Sequence, residues 1–272
     1  MMGLSSEEQR PTLAGSAEST KWSTQRVLQV HQWAPTMLSW RCTRDERFRF
    51  TPGHYARLGV ESDAGEIVWR PFSMVSAAAD DGLEFLAVLV PGGAFSKVLA
   101  SLSVGDAMHC ERASFGFLTV DQLAAGRQLW MLASGSGLGP FVSILRDPSV
   151  WSRFERLFVV HSVRHASELA YRAEICALAD DNAAVAGKAR LVYLPVVTRE
   201  PGATALRARI PQLLADGRLE EALETPLTVE ASRLMVCGNP EMALELRRML
   251  GARGFAAGRR GIAGQMAFEK YW

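Results

Sequence analysis

The chain has 272 residues, enough for two ordinary domains, and 48% of them are hydrophobic, as in a soluble globular protein. Its 30 Lys and Arg against 29 Asp and Glu leave a net charge of +1, which gives no electrostatic basis for binding nucleic acid or a membrane surface. The four cysteines, Cys42, Cys110, Cys176 and Cys237, share no CxxC pair or clustered spacing. That argues against a structural zinc site, or any metal or iron–sulfur centre on this chain, and such scattered thiols fit a reducing cytoplasm. No apolar run approaches the ~18 residues that would span a bilayer, and the Ser-rich start lacks the apolar core of a secretory signal.

Residues 1–21 read as a flexible, polar extension with little to pack. From 22 to 124 short alternating segments follow one another (26–30, 37–40, 55–60), separated by turn residues such as Thr51-Pro52-Gly53 and Asp80-Asp81-Gly82. Many short strands at regular spacing predict a small antiparallel β-barrel. Within it the strand 66–69 runs to Arg70-Pro71-Phe72-Ser73. A guanidinium, an aromatic ring and a hydroxyl at one strand end suit a flavin dinucleotide: the arginine binds pyrophosphate, the ring stacks on a fused heteroaromatic, and the hydroxyl bonds a ring nitrogen. Taken alone, the four residues fit an ordinary Pro-terminated edge strand equally well. The apolar strand 83–90 leads into Pro91-Gly92-Gly93-Ala94-Phe95-Ser96 and a short helix over 96–102. Glycines ahead of a helix expose backbone N–H groups to an anion, although a turn with a serine N-cap would account for them too.

The second half, 125–272, alternates strand and helix. Residues 128–133 form a continuous apolar run that ends at Ser134-Gly135-Ser136-Gly137-Leu138-Gly139-Pro140, the pattern of a buried parallel strand feeding a glycine-rich turn. Further segments at 157–162, 170–179, 189–197, 210–215, 234–237 and 241–250 predict an α/β doubly wound parallel sheet, whose ligands bind beyond the carboxyl ends of the strands.

Those strand ends carry Val163-Arg164, Thr198-Arg199 and, ten residues on, Arg209, with no acidic residue placed to take a ribose diol. Three arginines favour a 2′-phosphate and hence NADP(H) over NAD(H). Tyr171 either stacks nearby or sits in the core. Cys237, followed by Gly238-Asn239-Pro240, is read as a thiol pointing into the same crevice toward a nicotinamide, or as a buried structural cysteine.

Arg70-Pro71-Phe72-Ser73, Gly135-Ser136-Gly137-Leu138-Gly139-Pro140, Cys237-Gly238-Asn239-Pro240 and the terminal Tyr271-Trp272, in that order, resemble the bacterial ferredoxin/flavodoxin–NADP reductases, FAD-dependent enzymes. The resemblance implies an FAD-binding barrel over 22–124 and an NADP-binding domain over 125–272. It assigns to FAD the residues Arg70, Pro71, Phe72, Ser73, Leu89, Val90, Ala94, Phe95, Ser96, Ser136, Tyr271 and Trp272. To NADP it assigns Gly135, Gly137, Val163, Arg164, Arg199, Arg209, Gly238 and Asn239. Ser73 and Cys237 would align flavin and nicotinamide, with Glu269 as a candidate proton donor. Phe72 stands where tyrosine is usual, which keeps stacking and loses a hydroxyl contact.

The implied activity is electron transfer between NADP(H) and ferredoxin or flavodoxin through FAD, in a cytoplasmic monomer without nucleic-acid or membrane partners. Two other readings stay open: the reductase component of an oxygenase system, and a flavin-binding sensor without turnover.

Overall fold

A computed structural model describes residues 21–62, 65–183, 185, 187–259 and 261–270. Most of the predicted extension, and Tyr271 and Trp272, lie outside the described residues.

Six strands build the first half: β1 (Trp22–Ala34), β2 (Met37–Thr43), β3 (Tyr55–Glu61), β4 (Ile67–Ser73), β5 (Gly82–Val88) and β6 (Ala107–Phe115), with α1 (Ala94–Ala100) between the last two. Their order is β4-β3-β6-β1-β2-β5, with every pairing antiparallel. The sheet rolls until its two outer strands meet at a bridge between Met74 and Phe85 and a bond from Val75 N–H to the Glu84 carbonyl. This is the predicted barrel. Arg70-Pro71-Phe72-Ser73 forms the second half of β4 rather than following it. Proline is tolerated there because β4 pairs along its length only with β3, so the absent N–H breaks no second ladder.

The second half supplies β7 (Gln128–Ser134), α2 (Gly139–Leu145), α3 (Val150–Arg153), β8 (Arg156–Val163), α4 (Arg172–Ala183), β9 (Arg190–Val197), α5 (Ile210–Ala215), α6 (Arg218–Ala222), β10 (Ser232–Gly238), α7 (Pro240–Ala252) and β11 (Met266–Lys270). The strands pair in parallel in the order β11-β10-β7-β8-β9. Successive side chains alternate between two cores. Trp130, Leu132, Phe158, Val160, Leu234 and Val236 pack under α5 and α7. Leu129, Met131, Ala133, Leu157, Val159, Met235 and Cys237 share the other core with Met37, Val75 and Leu86 of the barrel. The face that a parallel sheet must cover is thus partly covered by the other domain.

A polar clasp lies at that interface. Arg146, just past α2, donates to Glu84 of the barrel at 2.6 Å, to the Val75 carbonyl at 2.9 Å and to Glu174 of α4 at 2.7 and 2.9 Å. Ser143 donates to the Ser76 carbonyl at 2.6 Å, and Tyr171 to Glu84 at 2.8 Å. Tyr171, read from sequence as either a stacking or a core residue, is the latter: it is buried at the interface with a left-handed φ of 57°. Arg146→Ala leaves two carboxylates without their cation, and we expect a loss of about 2–3 kcal/mol in urea unfolding, below the range for a fully buried pair because the groups are partly exposed.

Candidate functional site

The sheet's strand order reverses at β7, which has β8 on one side and β10 on the other, and a crevice opens beyond the carboxyl ends there. Two turns meet in it. A Cβ on Gly137 would lie 2.3 Å from the Cys237 carbonyl oxygen, and one on Gly238 would lie 2.3 Å from Ser134 Oγ. Both positions therefore require glycine for the packing of turn on turn; the sequence reading assigned that freedom to the ligand. Asn239 N–H donates to Ser134 Oγ at 2.8 Å, and the Asn239 side chain caps α7 by accepting from Glu241 and Met242. Cys237 itself is fully buried in the core shared with the barrel, so Gly238 and Asn239, not the thiol, line the crevice.

The crevice has a volume of about 630 Å³. One wall is Ser134, Gly135 and Ser136; opposite stand Arg164, Thr198, Arg199, Arg207 and Arg209, while Met37 and Val88 close it from the barrel. The arginines are gathered because the β8–β9 ladder continues past the strands: Thr198 N–H bonds the Val163 carbonyl and Arg199 N–H bonds the Arg164 carbonyl, both at 2.9 Å. Arg209 stands at the N-cap of α5. Arg199, Arg207 and Arg209 are exposed in the crevice.

Arg164 differs from them. Its Nη2 donates to Glu168 at 2.7 Å, and its backbone N–H reaches the same carboxylate at 2.9 Å. Thr36, from the barrel, lies 3.5 Å from that carboxylate and 3.4 Å from Nη2. Glu168 is buried, and the hydrogen bonds and charge of Arg164 outweigh that burial and hold its carboxyl below the usual range. Glu168 and Arg207 are site residues that the sequence reading missed. The available signal was a carboxylate four residues after a strand-end arginine, and a second arginine two residues before Arg209.

On the barrel, Arg70 and Phe72 share one side of β4, opposite Leu58 and Ala56. Arg70 is exposed and bonds only its neighbour's carbonyl, Trp69 O, at 2.8 Å among the contacts described. Phe72 is half-buried, backed by Trp40 at 5.3 Å and Phe95 at 5.0 Å, which leaves part of its ring uncovered. Phe95 is a core residue. The alternative reading of this loop, a serine N-cap, does not hold: Gly93 caps α1, while Ser96 Oγ accepts from Val90 N–H at 2.9 Å. Leu89 N–H is held by the Thr36 carbonyl at 2.7 Å. The Leu89 N–H is therefore engaged by the first hairpin and the Val90 N–H within the loop, while Val90 and Ala94 are exposed.

The barrel motif and the parallel sheet meet at a short side-chain bond. In β11, Met266 and Phe268 belong to the α7 side, so the two-residue period turns Glu269 toward the barrel. Ser73 donates to Glu269 Oε1 at 2.6 Å. The Ser73 carbonyl in turn lies 3.9 Å from where a Gly139 Cβ would stand, so the barrel motif and the glycine-rich turn are adjacent. Burial pushes the Glu269 carboxyl up to about 7, although the Ser73 hydroxyl pulls it down. Near neutrality this pair can both hold and release a proton. Among the described residues no His, Cys, Asp and Glu cluster could hold a metal ion, and no helix is long and apolar enough to cross a membrane.

The described donor set fits a flavin dinucleotide on the barrel: an exposed guanidinium, a partly uncovered ring, and a hydroxyl beside a carboxyl that can hold a proton. The crevice fits a phosphorylated dinucleotide through its arginines. Known proteins agree. The oxidoreductase FAD-binding domain family matches residues 37–116, and the oxidoreductase NAD-binding domain family matches 131–248. Ferredoxin–NADP reductase A of Sorangium cellulosum is 36% identical, covering 92% of this chain and 90% of its own length. A flavodoxin/ferredoxin–NADP reductase of Shigella flexneri is 37% identical over 81% of this chain and 86% of its own. The crystal structure of a ferredoxin NADP⁺ reductase from Neisseria gonorrhoeae with bound FAD and NADP superposes with a TM-score of 0.86 at 34% identity, covering 93% of this chain and 100% of that one.

The raised Glu269 value has a direct consequence for stability. Between 4.5 and about 7 the folded chain keeps a proton that the unfolded chain has released, so this group's contribution to stability falls as pH rises through that window and is flat above it. Glu269→Gln should remove that slope, seen as a smaller difference between urea midpoints at pH about 5 and about 8 than in the parent.

Proposed function

Because the chain belongs to the ferredoxin–NADP reductase family, we propose that it moves electrons between NADP(H) and a one-electron carrier protein, ferredoxin or flavodoxin, through FAD. The observation that carries this reading is the Ser73–Glu269 bond, which brings the barrel motif and the nucleotide sheet together beside an arginine-lined crevice. Bound FAD supplies the conversion between two-electron and one-electron transfer.

The chain's own residues bind, orient and manage protons. The barrel, 22–124, holds FAD, and the sheet, 125–272, holds NADP(H). Arg70 takes the FAD pyrophosphate through its forked donors, and Phe72 offers its uncovered face to the isoalloxazine. Ala94, Phe95 and Ser96 wrap the pyrophosphate, while Leu89 and Val90, whose amides are already bonded, contact FAD through their backbone carbonyls, away from the anion. Ser136 lines the crevice beside Gly135, and it would stand where the flavin and the nicotinamide dinucleotide meet. The Glu269 carboxyl can hold a proton at the reacting end, oriented by the Ser73 hydroxyl that donates to it at 2.6 Å. Cys237 acts by packing: its carbonyl against Gly137 fixes the turn on which the nicotinamide must align.

Arg199, Arg207 and Arg209 bind the 2′-phosphate as exposed cations. Arg164 joins them from a position held by Glu168, and its charge is partly offset there. Val163, Gly135, Gly238 and Asn239 shape the crevice around the rest of the dinucleotide. We further propose that the protein works as a monomer in the cytoplasm, where both carriers would meet it.

Purified protein should show a flavin spectrum that NADPH bleaches anaerobically; a colourless preparation that takes up no FAD would overturn the reading. Arg199→Ala and Arg209→Ala should each reduce the preference of kcat/KM for NADPH over NADH by roughly tenfold or more, as expected for loss of a charged hydrogen bond. Ser73→Ala should slow flavin reduction in rapid mixing by roughly tenfold while NADPH affinity changes little, and equal rates would remove Ser73 from the reacting pair.

A further inference from the structure

His161 takes no part in the function proposed above, yet its surroundings tie it to the glycine-rich turn. It sits in β8 opposite Ala133 of β7, with its side chain fully buried. Nε2 lies 3.0 Å from the carbonyl oxygen of Gly135, and Nδ1 lies 3.3 Å from the hydroxyl of Tyr193 on β9. A carbonyl oxygen can only accept, so Nε2 carries the proton. Burial moves the imidazole down to about 4, which leaves it neutral with a single N–H. Nδ1 is then an acceptor, and Tyr193 donates to it. The tautomer is set by the two neighbours together.

A trans peptide points its C=O and the following N–H in opposite directions. With the Gly135 carbonyl drawn inward onto His161, the Ser136 amide is turned outward, to the side on which Gly135 and Ser136 line the crevice. From the β10 side the same turn is held by backbone contact, Gly137 on Cys237 and Gly238 on Ser134. From the β8 side it is held by this imidazole. Rotation of the Gly135–Ser136 peptide would leave a buried carbonyl without a donor and would withdraw the amide from the crevice.

We propose that His161 is a positioning residue for the nicotinamide dinucleotide, its Nε2–H fixing the Gly135–Ser136 peptide so that the Ser136 amide faces the ligand. The proposal rests on the reading of the crevice as the NADP(H) site. It does not require His161 to touch the ligand or to titrate during turnover.

The two amide side chains separate this role from simple packing. A glutamine places its terminal nitrogen where Nε2 stands and can still donate to Gly135; an asparagine places its amide near Nδ1, toward Tyr193, and leaves the carbonyl alone. In the FAD-loaded protein, NADP⁺ binding measured by difference-spectrum titration should stay within about threefold of the parent in His161→Gln and weaken roughly tenfold in His161→Asn and His161→Leu, with FAD content unchanged. If His161→Leu fails to fold, His161→Asn carries the test.

Equal affinity in parent and His161→Asn, or an equal loss in His161→Gln and His161→Asn, would overturn the proposal. Imidazole ¹⁵N spectra give a readout independent of ligand: a proton on Nε2 is expected, and one on Nδ1 would also overturn it. A parent that carries FAD but binds no NADP⁺ would instead remove the reading of the crevice, and this inference with it.

Discussion

Contact between the two sheets is the constraint on which the rest depends. The core that covers one face of the parallel sheet includes barrel residues Val75 and Leu86, and the Arg146 clasp ties Glu84 and the Val75 carbonyl to α2 and α4. Hydrophobic area gives this interface its strength, while the guanidinium, with donors fixed in a plane, gives it a register. Without that register Ser73 and Glu269, 196 positions apart in sequence, would not meet in a 2.6 Å hydrogen bond. A reaction between two bound cofactors tolerates little error in separation, so a rigid joint between the domains that hold them is a chemical requirement as well as a folding one.

The joint also explains the division of labour among the charged groups. Arg146 is surrounded by acceptors and serves the fold. Arg199, Arg207 and Arg209 are exposed in the crevice, available to an anionic ligand. Arg164 stands between these cases: Glu168 fixes where its guanidinium points, and Thr36 brings the barrel's first hairpin into the nucleotide pocket. A carboxylate beside a phosphate site would repel the ligand if it stood alone. Bonded to an arginine and to backbone N–H groups, it instead orders the cation that the ligand meets.

Much of this was legible in the chain. Period-two alternation marked the barrel strands, continuous apolar runs marked the buried parallel ones, and the strand-end positions of Arg164 and Arg199, with Arg209 ten residues on, pointed to one crevice, because topology decides where strand ends go. What stayed hidden has a common cause in distance along the chain. Arg146 shows no local sign that its partners are Glu84 and Glu174. Cys237 could not be assigned to core or crevice until its side chain was seen buried in the core shared with the barrel. The glycine-rich turn carried a further ambiguity, since close approach to a phosphate and close approach to a neighbouring carbonyl select the same residue. Ser96 looked like a helix cap by spacing and turned out to bond the loop before it.

The meeting of Gly137 with Cys237, and of Gly238 with Ser134, has an evolutionary corollary. Neither turn has room to accept a side chain unless the other retreats, so the pair must drift together or not at all. A recombinant that joined relatives at a breakpoint between β7 and β10 would put turns of different ancestry in van der Waals contact, however well each strand suited its sheet. Crossovers in the linker before β7 would inherit both turns from one parent and leave that fit undisturbed.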